Sequence, residues 1–181
     1  MGNWIHLKAE VAHLVRQGFI ALFCTSKGSA PRRHWDIQSW NAFISDEEST
    51  ILANLVSTEE VKTALWTMKP FKAPGLDGLH AGFFQRTWDT IGETVIKEVR
   101  EIFVTRIMPN NLNQTLITLI PKCTGADYLS KFRPISLCNT IYKVVTKIIV
   151  LQLRPLLKNL ISPLQTAFVP GRKGLDNMII V

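Results

Sequence analysis

Little cysteine, no histidine pair, no long apolar run and a single acid after residue 140 are the first features of this chain. Cys24, Cys123 and Cys138 include no CxxC pair, and an odd number closes no disulfide set. Reduced thiols in an intracellular compartment, nuclear or cytoplasmic, are therefore expected. His6, His13, His34 and His80 never fall three or four residues apart, the spacing that puts two ligands on one helical face, so they are assigned no zinc. The most apolar stretches, FIALFC at 19–24 and VVTKIIVLQL at 144–153, fall short of the ~20 residues a membrane-spanning helix needs. The early acid Glu10, with no apolar core after a basic start, argues against a signal peptide. No membrane partner is expected.

What is present is a foldable, unevenly charged chain. Apolar residues make up 46% of it and charged ones 19%, enough to offset the entropy of ordering one domain or a large piece of one. The net charge is +7, but residues 1–60 hold 5 basic against 7 acidic side chains, while 61–181 hold 16 against 7. A polyanion would meet the later two-thirds first. Composition alone fits a merely soluble basic domain equally well, so motifs must decide.

Leu7, Val11, Leu14, Val15, Phe19, Leu22 and Phe23 recur at steps of three and four and predict an amphipathic helix over 5–23, weakened by Gly18. A loop follows at 25–44. Ser57 and Glu60 form a capping-box pattern for a short helix carrying Val61, Ala64, Leu65 and Met68, stopped by Pro70 and Pro74. Helical patterns return at 80–90 and 92–107, the second with Val95, Val99, Ile102, Phe103 and Ile107 on one side. TLITLIP at 115–121 and FRPISLC at 132–138 read as two strands joined by a loop. Asn139 or Thr140 then caps a long helix with a core stripe of Ile141, Val144, Val145, Ile148 and Ile149, interrupted near Pro155, with Tyr142 and Lys143 outward.

Four segments in order carry more than periodicity: KAPGLDGLHAGFF at 72–84, LNQTLITLIPK at 112–122, FRPISLCNTIYKVVTKI at 132–148, and SPLQTAFVPGR with DN at 162–177. Gly75, Gly78 and Gly82 do not make a P-loop, because the GxxxxGKS/T pattern and a preceding strand are both missing. The series resembles the N-terminal blocks of the reverse transcriptase domain of LINE-type (non-LTR) retrotransposons. Upstream, GNWI, ISDEE at 44–48 and VSTEEVKTALWTMKP at 56–70 are similar to its plant branch.

The resemblance implies an α+β fold: a mainly helical, fingers-side fragment of a right-hand polymerase with a short antiparallel β-hairpin. It divides the chain into a helical lead-in and loop at 1–56 and a partial reverse transcriptase domain, fingers and start of palm, at 57–181. It implies nucleotide contacts from Lys122 and Arg133, where a point charge and a planar guanidinium suit a triphosphate. It implies nucleic-acid contacts from Lys72, Gln165, Gly171 and Arg172, with Gly171 allowing close backbone approach and Arg172 neutralising a phosphate. Asp77 is expected to fix its turn, and Phe168 to belong to the core. Leu76 stands where the family commonly has Pro, and Lys131 where it usually has Asp. The implied partners are an RNA template, a DNA primer and a deoxynucleoside triphosphate.

That family polymerises with two metal ions, Mg²⁺ in the complete enzyme, held by a carboxylate after the VPGR block and by a later aromatic-x-Asp-Asp hairpin. No adjacent pair of aspartates occurs in this chain, and Asp176 is the one acid after residue 140. No catalytic or metal-binding residue is assigned, and the chain alone is expected to be inactive, as a fragment ending before those carboxylates. Two further readings stay open: a decayed element with no role, and a non-catalytic nucleic-acid-binding module.

Overall fold

The computed structural model of the chain describes residues 5, 7–23, 44–162, 165 and 169–173. Cys24, the expected loop up to residue 43, Phe168 and Asp176 lie outside them. The helices are α1 (Lys8–Phe23), α2 (Asp46–Ala53), α3 (Thr58–Trp66), α4 (Ala81–Arg86), α5 (Trp88–Thr105), α6 (Asn110–Asn113), α7 (Thr140–Leu153) and α8 (Leu157–Leu160). Strands β1 (Thr115–Pro121) and β2 (Phe132–Cys138) form a two-stranded antiparallel sheet, joined by a loop ending in a 3-10 turn at Leu129–Lys131. The described fold is thus α+β and mostly helical, with strand limits where the β-branched runs place them. Pro121 and Pro134 are tolerated in these strands because both strands are sheet edges and can do without a ladder donor.

Helix α3 begins as its sequence predicts. The Ser57 hydroxyl accepts from the Glu60 amide at 3.1 Å, and the Glu60 carboxylate accepts from the Ser57 amide at 2.8 Å. The same reciprocal box at Ser45 and Glu48 starts α2, a signal that ISDEE carried in plain view. Three apolar stripes then meet: Val61, Ala64 and Leu65 of α3, Val95, Ile96, Val99 and Ile102 of α5, and Ile141, Val144, Val145 and Ile148 of α7. Phe84 of α4 and Leu112 of α6 close the cluster. Each large aliphatic buried there contributes about 1.5–3 kcal/mol over leaving it in water.

Three expectations need correction. Ile107 is exposed rather than on the α5 stripe, because Arg106 takes a left-handed backbone (φ 58°) and ends the helix before the stripe recurs; Ile96 is buried in its place. Ile149 is exposed at the margin of the α7 stripe. In α1, Phe19 is buried and Val15 half-buried, while Val11 and Leu14, like Leu7 just before the helix, face solvent. A Cβ at Gly18 would meet only the terminal methyl of the Leu129 side chain, which can swing aside.

The chain divides into two compact units: Met1–Gln38 with Leu119–Ile135, and Ser39–Thr118 with Ser136–Val181. Val56 is buried in the helical core of the second unit, and the outer hairpin groups with the lead-in helix in the first. No described helix is long and apolar enough to cross a membrane.

Candidate nucleic-acid interface

In the first unit, β1 and β2 stay paired up to the hairpin loop, where the Lys122 amide donates to the Lys131 carbonyl at 2.8 Å. That register puts Lys122 across from Lys131 and two residues from the level of Arg133, so three cations gather at one end of the ribbon. Lys122 is exposed, and its ammonium donates to the Ser130 carbonyl at 2.8 Å, leaving two donors. Arg133 is exposed with its guanidinium turned to no described acceptor. Lys131 is different: it pairs with Asp127 at 2.5 Å and lies 5.2 Å from the Tyr128 ring centroid. The Lys131 hydrogen bond holds the Asp127 carboxyl below its usual value, and Asp127 raises the Lys131 ammonium in return. A lysine at this position therefore adds a loop hydrogen bond and carries its own counter-ion.

In the second unit, the segment after α3 is clamped to the start of α7. Gly75 is buried so closely that a Cβ would run into the Asn139 amide nitrogen and the Cys138 carbonyl carbon. Asn139 occupies the N-cap position without capping: its side-chain oxygen accepts from the Asp77 amide at 3.4 Å and its nitrogen donates to the Asn111 carbonyl at 3.1 Å. The Thr140 hydroxyl donates to the Leu79 carbonyl at 2.7 Å, and Lys143 donates to the Ala73 carbonyl at 3.2 Å. Asp77 fixes the turn by accepting from the Leu79 amide at 3.0 Å, as its type and position predict. The close approach that Gly75 permits is thus to the protein's own backbone.

Lys72 is exposed on this segment and lines a cavity of about 380 Å³ with Lys69, Lys143, Met68, Ala81 and Thr140. Lys143, expected to point outward, is half-buried here. Sequence reading missed both companions of Lys72. Lys69 stood in view three residues away, but Lys143 arrives from 70 residues beyond its partner Ala73, and no local pattern announces it.

The last expected contacts lie around a turn in the same unit. Arg172 donates to Val169 through its backbone amide at 3.2 Å, and Gly171 (φ 81°) follows Pro170, the proline-then-glycine order of a type II turn. The Arg172 side chain donates to four carbonyls: Ser162 at 2.6 Å, Gln165 at 2.7 Å, Ile161 at 2.9 Å and Lys158 at 3.0 Å. Those bonds use both terminal nitrogens twice. Arg172 therefore fastens the end of α8 to the turn and draws Gln165 into the same knot. The structure brings Lys122 together with Arg133, and Gln165 with Gly171 and Arg172; Lys72 shares no described hydrogen bond with either group.

Among the described residues no three His, Cys, Asp or Glu side chains converge as metal ligands. Glu60 and Glu48 serve their helix caps, Asp77 its turn and Asp127 its ion pair. No protein-family model matches the chain. Over 138 residues, 76% of its length, the chain is 35% identical to the Transposon TX1 uncharacterized 149 kDa protein of Xenopus laevis. The match spans 11% of that protein, so the chain corresponds to about a tenth of its relative. The chain is related to a transposon-encoded protein, and it matches one short stretch of it.

Proposed function

We propose that this chain is the fingers-side portion of a LINE-type (non-LTR) reverse transcriptase, of the plant-like branch, whose part in RNA-directed DNA synthesis is to hold template and incoming nucleotide. The observation that carries the reading is the ordered series of four motifs at 72–84, 112–122, 132–148 and 162–177, in a chain related to a transposon-encoded protein. The hairpin supports it: Lys122 and Arg133 sit at one end of a short ribbon, where dispersed positive charge suits a triphosphate. Lys72, Gln165 and the Gly171 turn supply the template side, with Arg172 holding that turn in shape.

The two Mg²⁺ ions that the family implies would supply Lewis-acid chemistry at the primer hydroxyl and the transferred phosphate. The described carboxylates do not fit such a pair, so no chemical step is derived from them. In template–primer extension with labelled nucleotide and Mg²⁺, the 181-residue chain is expected to incorporate nothing above a mock-purified control. Incorporation would overturn the division between grip and chemistry. Nucleotide binding that is unchanged in a Lys122→Gln, Arg133→Gln variant would overturn the role given to the hairpin. A non-catalytic nucleic-acid-binding module derived from such an enzyme is the second reading, favoured by the lysine-lined cavity, which needs no metal to attract a phosphate.

A further inference from the structure

We propose that the helical unit carries a subsite for single-stranded nucleic acid, in which an unpaired base stacks on Phe71 while the adjoining phosphate enters the cavity lined by Lys69, Lys72 and Lys143. The inference rests on the nucleic-acid-binding reading above and adds Phe71, Lys69 and Lys143 to the contact that reading gives Lys72.

Phe71 is 70% exposed and takes no part in the core, which is complete without it. Its ring is nonetheless held in place. It meets His80 edge-on at 5.3 Å between centroids, and the Arg86 guanidinium lies 5.8 Å from its centre. The backbone beneath it is fixed as well: the Pro70 carbonyl accepts from the Gly82 amide at 2.9 Å, and a Cβ on Gly82 would press on Pro70 at 3.0 Å. An aromatic side chain this exposed leaves ring surface on which a base can stack.

Basic residues stand close to Phe71 along the chain. Lys69 and Lys72 flank Phe71 in sequence, and with Lys143 they line one concavity to which no carboxylate contributes. Lys143 donates to one carbonyl, Ala73, leaving two ammonium donors to be satisfied there. Three cations around a cavity of about 380 Å³ repel one another unless an anion joins them. An aromatic interleaved with lysines is the sequence-tolerant grip on single strands: every base offers a π-face and every nucleotide a phosphate. A duplex covers both faces of its bases, so Phe71 distinguishes the two forms.

The test is fluorescence anisotropy of the full chain with fluorescein-labelled oligouridylate and with a duplex RNA. Phe71→Ala is expected to weaken oligouridylate binding by roughly 5- to 100-fold, with Phe71→Trp restoring it and duplex binding unchanged. Lys69→Gln and Lys143→Gln are each expected to reduce the slope of log affinity against log salt by about 0.7. Because Phe71 is exposed, its variants test the site without disturbing the core. Wild-type binding that Phe71→Ala leaves intact, or weakens equally on duplex, overturns the stacking subsite while the broader reading stands. Unchanged salt slopes in the lysine variants overturn the phosphate half. Absence of any RNA binding by wild type overturns the nucleic-acid-binding reading itself, and this inference with it.

Discussion

Gly75 shows how much one missing side chain decides in this protein. A Cβ there meets backbone atoms of Cys138 and Asn139, which cannot swing aside as a flexible side chain can. Gly75→Ala is expected to cost about 1–3 kcal/mol, read as a lower midpoint in urea denaturation, because either the segment or α7 must shift. Arg172 is the second such residue. Lysine cannot reproduce its four carbonyl bonds, so Arg172→Lys, with charge retained, is expected to speed proteolytic cleavage within 158–172 and to lower stability by about 2 kcal/mol. A cleavage rate equal to wild type would deny the clamp. The sequence marked both residues, since a glycine in a turn-rich run and an arginine after Pro-Gly stand out. It could not say what they touch: the Asp77 amide meets Asn139 across 62 positions, and that closeness exists only after folding.

At the scale of elements, local chemistry and periodic burial decide most of what forms. The Ser57 box starts α3, the β-branched runs set both strands, and three stripes at helical spacing make the core. What remained hidden was set by partners. The α1 stripe is regular, yet among its described side chains only Phe19 is buried, and the α5 stripe stops where Arg106 turns left-handed. The α3 cap also makes a pH prediction. Burial opposes ionisation of Glu60, but the Ser57 amide, the Gln152 amide and the Ser57 hydroxyl outweigh it and hold the carboxyl below its usual 4.5. With the folded value below the unfolded one, this stabilisation is fully present above that pH and is lost as pH falls through the folded value. Thermal melts taken downward from neutral pH should therefore show wild type losing its advantage over Glu60→Gln in the acid range. Parallel curves would remove Glu60 from the pH dependence.

For the molecule as a whole, charge and exposed apolar surface point the same way. The later two-thirds is strongly basic, and Leu116, Ile117, Ile120 and Ile135 lie exposed on the hairpin strands. A two-stranded ribbon is marginal in water without a further layer against it. The four ordered motifs pointed to a retroelement, and the chain is related to a transposon-encoded protein; the lysine cavity was not legible, because its third member comes from a distant helix. The decisive measurement is binding of single-stranded RNA by the soluble, folded monomer across a salt series. A chain that grips nucleic acid through dispersed lysines and arginines should bind at low salt, with log affinity falling linearly as log salt rises, at about 0.7 per phosphate neutralised. A folded monomer that binds no RNA at low salt, or binds it with no dependence on salt, would contradict that grip.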